Sequence, residues 1–373
     1  MFDDDDRTRD WAGGGGWNDP DPPPESPPKK APSPPPPPPP KPKPKVPLKP
    51  YRERSQRGLV AGRFLPLHLG HEFLVGTAKR SSEELDVVVF ESKGDPIRGE
   101  RRADWLREAF PGVSVYVTAE SSDFASAIRK ATGRMGYDTF YGGEIAEGTA
   151  AAKAIGATFV PIDPERTAFP ISGTAIRQDV MASFNQIATV ARPSFVRRVA
   201  VLGPPSTGKT TLCRNLAQIY STRYVPEPAR GLAQARGNAI DPEALELWMR
   251  TQRAAEDTVA RYASRVLFCD TDPLTVILWS WRLFDNVPDG MQTMALNRDY
   301  DLVILCNYEV PFVGSPDHDD PKFRQELFNA LANGTSKVPR VVLGGTSWEQ
   351  RLLDARKAVD QLLLTKSLLP RRG

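Results

Sequence analysis

Cysteine, histidine and long apolar runs are all scarce in this chain. Three cysteines and three histidines occur in 373 residues, and the formal net charge is only +3. Cys213, Cys269 and Cys306 lie far apart and make neither a zinc-finger spacing nor a disulfide framework, which suits a reducing compartment. No apolar run approaches the length of a membrane span, and no signal-peptide core is present near the N-terminus, so a cytoplasmic protein without membrane contact is expected. The near-neutral charge gives no electrostatic reason to expect nucleic acid as a partner.

What is abundant is proline, and it is unevenly placed. Residues 1–50 hold 18 of the 37 prolines, with an unbroken run from Pro34 to Pro40 followed by alternating Lys and Pro. Such a segment cannot bury a core, so residues 1–56 are expected to be a disordered tail with polyproline II stretches. A solvated tail is the simpler expectation, and a proline-recognising partner is the functional alternative.

Two of the three histidines sit three residues apart in Gly62-Arg63-Phe64-Leu65-Pro66-Leu67-His68-Leu69-Gly70-His71. Upstream, Gly58–Gly62 reads as a buried strand; downstream, the chain reads as a helix. A strand turning through Gly and Pro into a helix N-terminus offers free amides to an anion. Imidazoles at that turn can donate to phosphate oxygens and take charge as needed. Roughly a hundred residues on, Ile171-Ser172-Gly173-Thr174-Ala175-Ile176-Arg177 repeats the design after the strand-like run 157–162. Its hydroxyls and guanidinium would form a second phosphate clamp. Two histidines on one helix face could merely pack there, but this would leave the second motif unexplained.

A third phosphate motif, Gly203-Pro204-Pro205-Ser206-Thr207-Gly208-Lys209-Thr210, fits G-x-x-x-x-G-K-[ST] between the strand 196–202 and a helix beginning at Thr211. Its backbone amides, with Gly203, Ser206, Gly208 and Thr211, would cradle phosphates. Lys209 would reach the β and γ oxygens, and Thr210 would ligate Mg2+. Glu227 and Arg230 follow the next strand-like run. Asp270 and Asp272 end an apolar strand, where a magnesium-binding carboxylate belongs. An ion pair for Glu227/Arg230 and helix capping for either Asp are the plainer readings.

The remaining chain alternates strand and helix in two blocks. Strands are expected at 58–62, 86–91, 113–119, 138–141 and 157–162, then at 196–202, 223–225, 266–269, 302–306 and 340–343. Helices are expected at 100–110, 124–136, 146–155, 242–263, 320–332 and 348–363. The pattern predicts an α/β protein with two doubly wound parallel-sheet domains, 57–192 and 193–373, joined by a short linker at 191–194.

With these motifs in this order, the chain resembles the bifunctional nicotinamide-nucleotide adenylyltransferase/ribosylnicotinamide kinase family over roughly residues 57 to 365. Gly62-Arg63-Phe64 also looks like the opening of the archaeal nicotinamide-mononucleotide adenylyltransferases. The segments 102–110, 226–230, 270–272, 300–305 and 348–351 add to the likeness. The resemblance implies a Rossmann-like nucleotidyltransferase followed by a P-loop kinase. The kinase would phosphorylate nicotinamide riboside with ATP, and the first domain would adenylylate the mononucleotide to give NAD and pyrophosphate. It implies that His68, His71 and Arg63 hold ATP phosphates, and that Ser172, Thr174 and Arg177 grip the leaving pyrophosphate. Glu227 or Asp270 would orient the ribose hydroxyl, and Arg230 would contact substrate or phosphate. Regulatory members carry an N-terminal helix-turn-helix; the proline-rich tail stands in its place, so no DNA-binding repressor is expected. Relatives have an Asp-Gly-x-Arg segment where this chain has Phe312–Asp320, with Arg324 later in a helix and His318 in an acidic loop. An adenylyltransferase whose P-loop domain only senses nucleotide is therefore the alternative. The sequence leaves the oligomeric state open, a homo-oligomer included.

Overall fold

Strand β1 (Ser55–Gly62) carries the buried pair Leu59 and Val60 at the centre of the first sheet. In a computed structural model, residues 53–228, 231, 235, 241–296, 300–312, 320–335 and 337–365 are described. Arg230, His318, most of the Phe312–Asp320 segment and nearly all of the proline-rich tail lie outside the described residues. The strand begins at Ser55, within the span expected to be tail, because Arg57 and Gly58 already pair with Glu84 and Leu85 of β2.

The first sheet joins β1 to β2 (Ser82–Glu91), β3 (Ser114–Ala119), β4 (Thr139–Gly142) and β5 (Thr158–Pro161), in the order β3-β2-β1-β4-β5. All pairings are parallel. The second sheet has β6 (Arg197–Leu202), β7 (Arg223–Val225), β8 (Val266–Asp270), β9 (Leu302–Cys306) and β10 (Arg340–Leu343), in the order β10-β9-β6-β8-β7, again parallel. The α/β class with two parallel sheets is thus as the βα alternation indicates. Strands β8 and β9 are buried at every position, as strands covered on both faces must be. In each sheet the first strand is central and the chain later crosses to its other side. The strand order therefore reverses at β1/β4 and at β6/β9, opening a crevice beyond their C-terminal ends.

Helix boundaries follow local chemistry. Asp123, Ser172, Asp241, Asp272, Asp320 and Ser347 each accept an N–H from three residues on, satisfying a first-turn donor. The helix from Phe124 stops at Thr132, four residues before the sequence expectation, because Gly133 takes a left-handed φ of 67° that ends it. Pro273–Phe284 and Asp289–Leu296 form helices beyond those expected; the first, Pro-Leu-Thr-Val-Ile-Leu-Trp-Ser-Trp-Arg-Leu-Phe, is too uniformly apolar to show a helical period.

The stretch 191–194, expected as a short linker, is a packed one. It folds into a 3-10 turn at Arg192–Ser194, and Ala191, Ser194, Phe195 and Val196 are buried. One apolar cluster runs from Val60 and Trp105 through Phe195 to Ala200, Leu267 and Leu331, and Arg261 pairs with Glu108. Residues Arg52–Gly373 accordingly form one compact unit. The three cysteines are buried and free.

Candidate functional site

The turn after β1 supplies the first site. His68 is the N-cap of helix α1 (Leu69–Ser81), and it is buried. His71 lies one turn on, so the two imidazoles stack with centroids 3.7 Å apart and planes 24° from parallel. Phe64 meets His71 edge-on at 5.0 Å. Glycine at position 70 leaves room for this stack, since a Cβ there would lie 3.1 Å from the His68 ring and press on it. Burial, aided by the Arg166 charge, pushes the His68 pKa down to about 4. Burial and the neighbouring His68 drive that of His71 well below its usual value. Both rings are therefore neutral at pH 7 in the free protein, rather than ready cations. By strict geometry neither buried Nδ1 has a hydrogen-bond partner, although the Pro66 carbonyl lies near enough to the His71 ring to favour its proton. Polar atoms left so at the wall of a cleft are free to meet a ligand there.

The second motif lies against this turn. Ser172 caps helix α5 (Gly173–Gln178), accepting from the Ala175 N–H. Arg177 donates to the Leu65 carbonyl at 2.7 Å and to the Thr174 hydroxyl at 2.9 Å. Gly173 permits the approach, because a Cβ there would stand 2.7 Å from the Leu65 carbonyl oxygen. Segments more than a hundred residues apart thus form one cleft of about 220 Å3 at the β1/β4 crevice, lined by His68, His71, Glu144, Arg166, Ser172 and Gly173.

Arg63 is held from behind. Asp95 pairs with Arg63 and, at 2.8 Å, with Arg102. Arg102 is fully buried and also donates to the carbonyls of Ile97 and Phe90, both at 2.9 Å, and of Arg63. It ties the end of β2 to the turn that carries Arg63.

The P-loop follows β6 at the other crevice. Gly203 and Gly208 have φ of 145° and 82°, and Ser206 also adopts a left-handed φ of 59°. At Gly203 a Cβ would lie 2.5 Å from the Cys306 carbonyl oxygen. The loop therefore wraps tightly over the end of β9, and only glycine fits there. Lys209 bonds the Pro204 carbonyl at 3.0 Å, and Arg351 donates to the Thr207 carbonyl at 3.2 Å. Thr211 is exposed at the start of helix α6 (Lys209–Ile219), beside Trp348.

Thr210 donates to Asp270 at 2.6 Å, which brings two expected metal ligands together. Asp270 is 1 % exposed at the end of β8, in register with Val201. Asp272, by contrast, caps the next helix, with its Oδ1 accepting from the Thr275 N–H and hydroxyl. Between them Thr271 holds a strained φ of 80° and donates to Glu227 at 3.3 Å. A buried chain braces this corner. Gln252 donates to the Thr271 carbonyl and to Glu256, and Tyr300 donates to Glu256 at 2.7 Å. Desolvation raises the Glu256 pKa despite these partners.

Sequence reasoning missed Glu144, Arg166, Asp95 and Arg102 as parts of the first site. Arg166 is one among 49 Lys and Arg, with no motif around it, and Arg102 opens a family-like segment that does not by itself mark it as part of a site. Only the close approach of β1, β4 and the loop after β5 gives them meaning.

Comparison with known proteins agrees with this geometry. A family model described as an AAA domain matches residues 198–351, the P-loop half. The trifunctional NAD biosynthesis/regulator protein NadR of Escherichia coli (strain K12) is 28 % identical over 292 residues, covering 70 % of this chain and 71 % of that protein. Its Salmonella typhimurium counterpart is 28 % identical over 294 residues, with the same coverage. Two crystal structures of NadR, one in complex with NR and one with NAD and AMP-PNP, share the fold. Each has a TM-score of 0.65 at 22 % identity and covers 86 % of this chain and 98 % of its own. Along most of its length, in sequence and in the course of both sheets, the chain is similar to the NadR proteins.

Proposed function

We propose that the chain is an NAD-salvage enzyme with two activities, a nicotinamide-mononucleotide adenylyltransferase in residues 57–192 and a ribosylnicotinamide kinase in residues 193–373. The observation that carries this reading is the pair of stacked histidines that share one cleft with Ser172 and Gly173, the start of the second motif, in a chain that also holds a P-loop.

In the adenylyl step the attacking group is already a phosphate anion, so catalysis is positioning and charge neutralisation rather than proton abstraction. His68 and His71 each turn an N–H to phosphate oxygens, and the arriving anion raises their affinity for a proton. Arg63, oriented by Asp95, and Arg177 with Thr174 and Ser172 hold the leaving pyrophosphate. In the kinase step Lys209 leaves the Pro204 carbonyl for the transferred phosphoryl group. The amides of Gly203, Ser206, Gly208 and Thr211 cradle the rest. Glu227 or Asp270 orients the ribose hydroxyl.

Thr210 and Asp270 fit Mg2+, which takes one or two protein oxygens and completes its shell with phosphates and water. Among the described residues no group of three or more His, Cys, Asp or Glu could hold a metal alone. Bound there, Mg2+ would neutralise the phosphate charge that develops in transfer. Asp272 would act from behind, through the helix it caps.

The test is chromatography of a reaction containing the protein, nicotinamide riboside, ATP and Mg2+. NAD formed through the mononucleotide is the expected result. NAD from supplied mononucleotide but not from the riboside would leave only the adenylyltransferase. No NAD from either would refute the proposal.

A further inference from the structure

The loop between β5 and α5 is built to present one side chain. Asp163 accepts N–H bonds from Thr167 at 2.7 Å, Ala168 at 3.1 Å and Phe169 at 3.3 Å, and the Thr167 hydroxyl at 3.0 Å. The Arg166 N–H closes the turn on the Asp163 carbonyl at 2.9 Å. Asp163 and Arg166 both sit in left-handed backbone, at φ 48° and 54°, a conformation that non-glycine residues resist. That strain is sustained where the surroundings fix the loop, and it often accompanies function. The loop delivers the Arg166 side chain into the lining of the histidine cleft.

There the guanidinium meets Glu144, from the turn after β4, at 2.6 Å. Both side chains are half exposed, at 49 % and 57 %. A pair so hydrated contributes little and is easily broken. A phosphate offers a guanidinium more charge and a better-matched fork of acceptors than this single contact. The Arg166 charge also reaches both imidazoles and disfavours their protonation. Two buried neutral rings facing a cation form an arrangement that an anion between them would relieve.

We propose that Arg166 is a phosphate-binding residue of this cleft, and that Glu144 occupies it until a nucleotide phosphate takes its place. The proposal rests on the nucleotide reading of the first site. It assigns opposite effects to the two partners: Arg166 contributes to binding, and Glu144 competes with it. A merely structural ion pair would make the two interchangeable.

The full-length chain is titrated with inorganic pyrophosphate while the imidazole proton resonances are followed by NMR. With three histidines in the sequence, the His68 and His71 signals are assigned through His68→Gln, and binding at the P-loop does not register on those two rings. Arg166→Gln is expected to weaken binding roughly tenfold, Arg166→Lys by less, and Glu144→Gln to tighten it a few-fold. Equal losses in Arg166→Gln and Glu144→Gln, or no change in either, would overturn the proposal while leaving the cleft reading intact. If pyrophosphate does not move the wild-type His68 and His71 signals, the cleft reading falls and this proposal with it. Glu144→Gln keeps the loop and the cleft sequence otherwise intact, so the test survives a poorly folded Arg166 variant.

Discussion

Replacing Arg102 by methionine tests how the first site is held in place. The side chain is fully buried and serves three carbonyls, of Ile97, Phe90 and Arg63, as well as Asp95. Asp95 would keep Arg63 and the Ser92 N–H, so its charge is not stranded. The three carbonyls would be left in a space too apolar for easy hydration. At the low end of the cost of an orphaned buried acceptor, about 1 kcal/mol each, they sum to about 3 kcal/mol, and the weakened Asp95 network brings the loss to about 4 kcal/mol. Because each 1.4 kcal/mol is a factor of ten, opening of β1, β2 and the 99–109 helix should become about a thousandfold easier. Hydrogen-exchange mass spectrometry reads this region separately from the second sheet, which matters because a chain of this size need not unfold in one step. Arg102→Lys should recover less than half, since one ammonium cannot span three separated carbonyls. Adenylyl transfer should fall with the loss of the Arg63 anchor while kinase turnover is preserved. If β1 peptides in Arg102→Met exchange as in the wild type, the account of Arg102 as the brace of this turn is wrong.

Other outcomes follow from the same geometry. His68 has a folded pKa of about 4 against 6.5 when unfolded, so between these values the unfolded chain binds more protons; its contribution is fully present above pH 6.5 and lost as pH falls towards 4, by about 3 kcal/mol in all, and urea unfolding of His68→Gln should show a shallower decline over that window. His71→Ala should lower adenylyl transfer by about two orders of magnitude or more and spare kinase turnover, while Lys209→Ala should do the reverse; equal damage to both reactions in either folded variant would refute a two-site protein. Gly203→Ala should abolish nucleotide binding at the P-loop, measured by calorimetry, because the new methyl would meet the Cys306 carbonyl at 2.5 Å in a backbone conformation that alanine resists, whereas Gly344→Ala, with its nearest neighbour at 3.6 Å, should bind normally.

Much of this architecture is legible in the chain itself. Ten strands appear where apolar runs occur between turn residues, and the order of phosphate motifs, strands and helices is enough to foresee two parallel sheets. Glycines at 203 and 208 locate the second proposed anion-binding turn because the backbone there takes conformations that other residues resist, and the Gly/Pro-rich run 62–70 marks the first by its place between a strand and a helix. Local chemistry of this kind acts over a few residues, so it can be read from neighbours in sequence.

What the sequence could not show depends on residues meeting across strands. Asp95, Glu144 and Arg166 have no motif, Arg102 has only a family-like segment, and all four come to face the first site only when β1, β2, β4 and the loop after β5 converge. The charge state of the histidines is another such property. Imidazole is an evenly poised base in water, and burial beside Arg166 and its own neighbour makes each ring neutral. The burial of the turn at 191–194 is a third such property, because the apolar residues packed around it come from both halves of the fold. Sequence determined the elements, their order and the turns proposed to bind phosphate, since these follow from backbone propensity and side-chain period. Tertiary structure alone decided which distant charges face those places and how water is kept from them, because desolvation and Coulomb interaction depend on distance in space rather than along the chain.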